Sequence, residues 1–385
     1  MYVVGFVGPF GSGCTFISNL IVSTRGYTRL SLSDFLRALY RERNEGGDPT
    51  RAQLQDFGDE IRKDKGCEYL AVLAFEKMKE DTAKNYVVDS IRNPAEAEYL
   101  RRNIPQFCLF GVFADPSIRF SRVLGEFERD RRIFEREDDR DSNENFAYGQ
   151  KVTSTFRRAD IIIINNREVI SGNEAYNQLV FKINRYIDII EGSEKYEPNP
   201  TETYMAAAYA VSMRSTCSQR KVGAVIIDAQ GTIFSSGFNN VPETQLPCQS
   251  QYGGCYRARL KNEFREGITG IISDAEEKKA VYNLFKEKFK ILDYCRALHA
   301  EENAILGVAR LGSSKALEGA TLFSSTYPCN MCALKIAQVG IKKVVYFEPY
   351  PMEEAKRILA EKGVVQEPFE GVTYNGYFRF MEVVD

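Results

Sequence analysis

Three side chains restrict this chain more than any others: His299, Cys329 and Cys332. His299 stands before one apolar-periodic helix and Cys329 before another. If all three serve one ion, the fold has to bring two separate helix starts together. The two cysteines lie three apart, so on a helical turn both sulfurs share a face. A helix N-terminus and a bound cation both favour thiolate over thiol. Three protein ligands leave a fourth position open for water, which marks a catalytic ion and not a structural one. His299 is the sole histidine among 385 residues.

The order His299-Ala300-Glu301, then Pro328-Cys329-Asn330-Met331-Cys332, is the H-x-E…P-C-x-x-C signature of the zinc deaminases. A C-x-x-C alone is as often a structural zinc site or a redox pair, and H-x-E alone carries little. Their combination at two helix starts is what is specific. Zinc lowers the pKa of its water toward neutrality. Glu301 is not a ligand in this pattern. It can take the proton of the water and pass it to the ring nitrogen and the departing amine.

Around this motif the chain alternates strand and helix. Tyr2 to Val7, Tyr86 to Asp89, Leu109 to Phe113 and Ile161 to Ile164 read as buried strands. Between them, Cys67 to Met78, Pro94 to Arg102 and Ile118 to Arg136 read as helices, and a last one runs from Tyr176 to Ile190. This alternation predicts an α/β domain on a parallel sheet. A polar stretch with two prolines, Glu191 to Pro200, breaks the pattern. The expected division is a first domain over 1–192, a linker over 193–200 and a second domain over 201–385. The second opens with a helix, Thr203 to Met213, and strands Val222 to Asp228 and Thr232 to Phe238. An irregular cysteine-bearing stretch and a charged helix, Ala275 to Asp293, follow. After the helix from His299 come strand Ala320 to Ser325, the helix from Cys329, strand Lys343 to Phe347 and helix Glu353 to Lys362.

The first strand runs into Gly8-Pro9-Phe10-Gly11-Ser12-Gly13-Cys14-Thr15. This matches G-x-x-x-x-G-K-[ST] except that Cys14 replaces the lysine. Its backbone amides can still face phosphates, and Thr15 can still hold Mg²⁺. Without the lysine, charge on the β- and γ-phosphates is not neutralised in the usual way. The expectation is binding of ATP or GTP with Mg²⁺, without efficient phosphoryl transfer, at Gly8, Gly11, Ser12, Gly13, Cys14, Thr15 and Asp89. A glycine turn with no ligand is the alternative. The arginines from Arg119 to Arg140 read either as a lid over phosphates or as a solvated charged helix.

Net charge is −2, and no basic stripe suggests a polynucleotide partner. No run approaches the ~18 apolar residues of a membrane span. A cytoplasmic setting is expected, in which the nine cysteines stay reduced.

The stretches Cys217 to Ile226, Gly237 to Asn240, Cys295 to Ile305 and Thr326 to Cys332 resemble the deoxycytidylate deaminases. The resemblance implies a cytidine-deaminase-like α/β/α domain. It implies deoxyribose contact by Asn239 and reading of the cytosine edge by the Ala300 backbone. Phe238 and Asn240 depart from the family's usual Gly-Tyr-Asn-Gly. It also implies that Cys217, Cys248, Cys255 and Cys295 can hold a second, structural zinc, unless they are four unrelated buried thiols. Arg220, Lys221 and Arg214 are candidates for the phosphate end. The run Asp89 to Pro94 resembles P-loop nucleotide-kinase-like domains. The pairing of such a domain with a deoxycytidylate deaminase resembles bacterial anti-phage deaminases, which deplete dCTP and dCMP. That resemblance implies regulation by the first domain, a homo-oligomer and an inhibitor of unknown type. Two other readings stay open: a housekeeping enzyme supplying dUMP for thymidylate synthesis, and an NTP sensor whose deaminase half is a non-catalytic module.

Overall fold

The computed structural model describes the chain except residues 45–46, 126–129, 143–147, 170, 289–293, 313, 349–352 and 382–385. Part of the expected helix Ile118 to Arg136 and the end of the expected helix Ala275 to Asp293 lie outside the described residues. The chain divides into two compact units, Met1–Glu202 with Glu370–Asp385, and Thr203–Phe369.

The first unit is built on strands β1 (Val3–Val7), β2 (Thr28–Ser31), β3 (Tyr86–Asp89), β4 (Phe107–Phe113) and β5 (Ile161–Ile164). They run parallel in the order β5-β4-β1-β3-β2. Every residue of β1 and β4 is buried. Helices therefore cover both faces, which is why these strands are continuous apolar runs with no alternation. Strand order reverses about β1, so the loop after it lies at the switch point where α/β sheets bind ligands. This is the expected P-loop nucleotide-kinase-like sheet. Helices Tyr69–Lys79, Pro94–Asn103 and Glu174–Glu191 match expectation within a few residues. The expected helix from Ile118 is instead two, Pro116–Arg122 and Arg131–Ser142.

The second unit holds β6 (Gly223–Ile227), β7 (Ile233–Phe238), β8 (Thr321–Ser324), β9 (Lys343–Tyr346) and β10 (Val365–Pro368), in the order β10-β9-β8-β6-β7. β6 is antiparallel to both neighbours, and β8, β9 and β10 are parallel. Helix Ala300–Arg310 packs on β7 and β6. Gly237 permits this close approach, since a Cβ there would collide with the carbonyl oxygen of Ala300. The cysteine-bearing stretch, expected to be irregular, forms helices Cys248–Tyr252 and Tyr256–Ile271, and the charged helix spans Ala275–Lys288.

The expected second domain, 201–385, runs too far. Strand β11 (Gly371–Val372) pairs antiparallel with β5. Val372 and Phe380 are buried in the first unit's core beside Ile161 and Tyr196. Two paired residues leave no periodic signal, so a sequence pattern cannot assign them to a sheet.

Candidate metal centre and active site

His299 is the N-cap of helix Ala300–Arg310, and Cys329 is the N-cap of helix Asn330–Gln338. Two features bring these helix starts together. Asn240, just past β7, forms an isolated bridge with Leu298, with N–H to O distances of 3.0 and 3.2 Å. Cys329 follows the end of β8, the strand beside β6. The Glu302 carboxylate accepts from the His299 N–H at 3.3 Å, holding the backbone that presents the imidazole.

His299, Cys329 and Cys332 bring one ligand atom each to within 4.8 Å of one another. Each sulfur lies 3.3 or 3.4 Å from His299 Nδ1. Zinc–ligand bonds of ~2.3 Å to sulfur and ~2.05 Å to nitrogen at tetrahedral angles put such atoms about 3.6 Å apart. The three atoms therefore fit one zinc ion. Among themselves the groups polarise one another. The Cys332 hydrogen bond, with help from His299, draws the Cys329 thiol down to about 4 against its burial. The same bond and burial push the Cys332 thiol up. Cys295 and Cys329 raise the imidazole to about 10. A dication replaces this proton sharing by taking both sulfurs as thiolates.

Glu301 is 2% exposed and sits in the first turn of its helix. Ser324 Oγ donates to its Oε1 at 3.3 Å, and its Oε2 lies 3.7 Å from Cys332 Sγ. Burial raises its pKa above the usual carboxylate value. A raised pKa makes the ionised carboxyl a stronger base than a solvated carboxylate. Glu301, His299, Cys329, Ala300 and Asn239 line one cavity of about 270 Å³.

A family model described as "Cytidine and deoxycytidylate deaminase zinc-binding region" matches residues 198–348. The deoxycytidylate deaminase of Enterobacteria phage T2 is 38% identical over 38% of this chain and 79% of its own length. The chain belongs to the deoxycytidylate deaminase family. The deoxycytidylate deaminase of Saccharomyces cerevisiae is 29% identical over 50% of this chain, which spans about half (53%) of the yeast protein. A dCMP deaminase from cyanophage S-TIM5, solved with dCMP and dUMP, is 27% identical over 45% of this chain and 99% of its own, with a TM-score of 0.31.

The other residues expected for this family divide into those in the cavity and those outside it. Asn239 is inside, but its Oδ1 accepts from Val222 N–H at 2.7 Å and its Nδ2 donates to Arg220 O at 2.8 Å. One amide hydrogen remains for a ligand. Arg220 lines the cavity, donating to Thr326 Oγ1 at 2.7 Å and pairing with Glu348. Lys221 is exposed, donates to Met213 O at 3.2 Å and does not line the cavity. Arg214 is exposed and stacks over Phe238 instead. Arg257 does line the cavity. It belongs to helix Tyr256–Ile271, where no spacing or motif singles it out. Cys217, Cys248, Cys255 and Cys295 line one small neighbouring cavity. Among the described residues, only the His299 set draws three such ligand atoms within 4.8 Å, so these four thiols stand apart from ion-binding spacing.

In the first unit the loop after β1 takes the shape its glycines require. Gly13 has φ 99° and Gly11 φ 77°. Asn165 Nδ2 donates to Ser12 O at 2.8 Å, and a Cβ on Gly13 would collide with that nitrogen. Gly8 is pressed just as closely against Ser12 Oγ and Val112 O. Thr15 Oγ1 donates to Asp89 Oδ2 at 2.8 Å, and Arg29 pairs with the same oxygen at 2.8 Å. Burial and then Asp89 push the Cys14 thiol up to about 12, so the lysine position carries no charge. Arg119 is fully buried, paired with Asp138 at 2.6 Å and bound to Phe10 O. It braces the loop from beneath and is not part of a lid.

Proposed function

We propose that the chain hydrolytically deaminates deoxycytidine nucleotides, dCMP or dCTP, to the uracil nucleotides and ammonia. The observation that carries this reading is a fully buried carboxyl, Glu301, with Oε2 3.7 Å from a sulfur of the three-ligand cluster. His299, Cys329 and Cys332 would hold the zinc, which supplies Lewis-acid activation of a water. Glu301 takes one proton from the attacking water and gives it to N3 of the ring, then takes the second from the new C4 hydroxyl and passes it to the amine, so that ammonia leaves as the C4 carbonyl forms. Ser324 orients that carboxylate. Burial keeps bulk water away from Glu301 and raises its pKa above the usual carboxylate value. Asn239 with its remaining amide hydrogen faces the sugar, and the Ala300 backbone faces the base. Arg220, on the cavity wall, is placed for the phosphate end, whereas Lys221 is not.

The finer reading is that deamination depletes deoxycytidine nucleotides in anti-phage defence, in a homo-oligomer under control of the first unit. What supports it is the glycine loop at the switch point of a separate α/β sheet, ahead of an intact Glu301. Thr15 and Asp89 oxygens, 2.8 Å apart, are spaced as two adjacent ligands of one Mg²⁺, for which ~2.05 Å bonds at right angles give about 2.9 Å. No helix of the described residues is long and apolar enough to cross a membrane.

Turnover tests the proposal. Purified protein is incubated with dCMP, dCTP, CMP and dAMP, with and without ATP or GTP and Mg²⁺, and products are resolved by chromatography. Uracil deoxynucleotides, and a rate changed by ATP or GTP, are expected. Zinc-loaded protein that leaves all four untouched under every condition contradicts the enzyme reading and favours the sensor.

A further inference from the structure

Two arginines line the cavity at Glu301, and their charges are not equally free. Arg220 donates to Thr326 Oγ1 at 2.7 Å and pairs with the mostly buried Glu348. Its charge is therefore met within the fold. Arg257 differs. It is half-buried, and among the described residues its guanidinium has no ion-pair or hydrogen-bond partner. A guanidinium carries five N–H donors and stays charged at any pH the fold survives. Leaving them unmet on the wall of a cavity costs free energy that a ligand can recover.

The place of Arg257 on its helix sharpens this. It is the second residue of helix Tyr256–Ile271. The positive end of a helix dipole disfavours a cation in the first turn and favours an anion. No acidic residue stands in that turn, and the N-cap, Cys255, makes no side-chain cap hydrogen bond. Two sources of positive charge thus meet without a carboxylate between them.

Arg257 also lies at the right end of the cavity. On the deaminase reading, Glu301 marks the base end and Asn239 the sugar. Asn239 Nδ2 donates to Arg220 O at 2.8 Å, so Arg220 follows the sugar. Arg257 shares the small neighbouring cavity with Thr216, Cys217 and Ser218, the segment that leads straight to Arg220. Lys221 and Arg214, the other cations expected for this end, lie outside the active cavity. We propose that Arg257 determines specificity by holding the 5′-phosphate of the substrate, so that the cavity selects a nucleotide over a nucleoside, while Arg220 is a fixed part of the wall. This rests on the deaminase reading and adds to it the residue that reads the phosphate. A phosphate dianion can take two N–H bonds of the guanidinium side by side.

Calorimetric titration of the zinc-loaded full chain carrying Glu301→Gln, which spares the ligand from turnover, compares dCMP with deoxycytidine. dCMP should bind at least about tenfold tighter. Arg257→Ala added to this protein should shrink that ratio by about tenfold, with no fall in melting temperature, because no ion pair is lost. Arg257→Lys should restore part of the ratio. A general distortion of the cavity weakens both ligands alike and leaves the ratio as it was. A ratio unchanged by Arg257→Ala, or dCMP bound no tighter than deoxycytidine before that change, would overturn the proposal. Neither result touches the deaminase reading, which stands or falls on uracil formation by the protein with Glu301 intact.

Discussion

At the scale of single residues, the account rests on what Glu301 can do that no isostere can. Its carboxyl is buried, and Ser324 holds it beside Cys332. General acid–base groups contribute about 10²–10⁴-fold to rate. Glu301→Gln keeps the shape and removes the base, so turnover should fall by about that factor. Zinc content by mass spectrometry should stay at one per chain. Cys329→Ala should lose the metal as well as the activity. Two zinc ions per chain in the wild type would show instead that Cys217, Cys248, Cys255 and Cys295 close on an ion. Cys14 gives a pH prediction. A helix N-terminus favours thiolate by up to ~2 kcal/mol, about 1.5 pKa units. Burial and Asp89 outweigh this and push the thiol to about 12 from an ordinary 9.0. Because the folded pKa is raised, the stabilising contribution is complete below about pH 9 and is lost as pH climbs toward 12. Alkylation followed by mass spectrometry at pH 8 should label Cys14 much more slowly in native than in unfolded protein.

At the scale of elements, the legible parts were those whose chemistry demands a local shape. The candidate metal ligands were readable because two cysteines three apart share a face on a helical turn, and the structure puts His299 and Cys329 at two N-caps. The glycine loop was readable because Gly11 and Gly13 must take positive φ. Gly13→Ala adds strain and a clash with Asn165, and should cost about 1–3 kcal/mol in denaturant unfolding. What stayed hidden lacked a local signal. Arg257 is one charge on an exposed-looking helix, and its place on the active cavity depends on how that helix packs. Lys221 neighbours Arg220 in sequence yet donates to Met213 O instead of lining the cavity, a difference no local pattern marks. β11 and the helix Tyr374–Met381 belong to the first unit through Val372 and Phe380, some two hundred residues from their partners. Phe380→Ala should therefore destabilise the first unit by about 3–5 kcal/mol, measured by the loss of its unfolding transition.

At the scale of the whole molecule, two units carry two kinds of site. The second holds the three-residue cluster His299, Cys329 and Cys332 with the buried Glu301 beside it. The first holds a charge-silenced glycine loop. The net charge of −2 gives no electrostatic attraction to a polynucleotide. Oligo-deoxycytidine should accordingly not be deaminated at rates near those for the free nucleotide, as read by product chromatography. The family assignment and the geometry of the cluster converge on one chemistry at one carboxyl. The most direct measurement is a paired assay of wild type and Glu301→Gln on dCMP and dCTP, with zinc counted in the same samples. The account predicts uracil deoxynucleotide and ammonia in equal amounts from the wild type, a drop of about 10²–10⁴-fold in the variant, and equal zinc in both. Equal turnover by the two proteins at equal zinc content would contradict it.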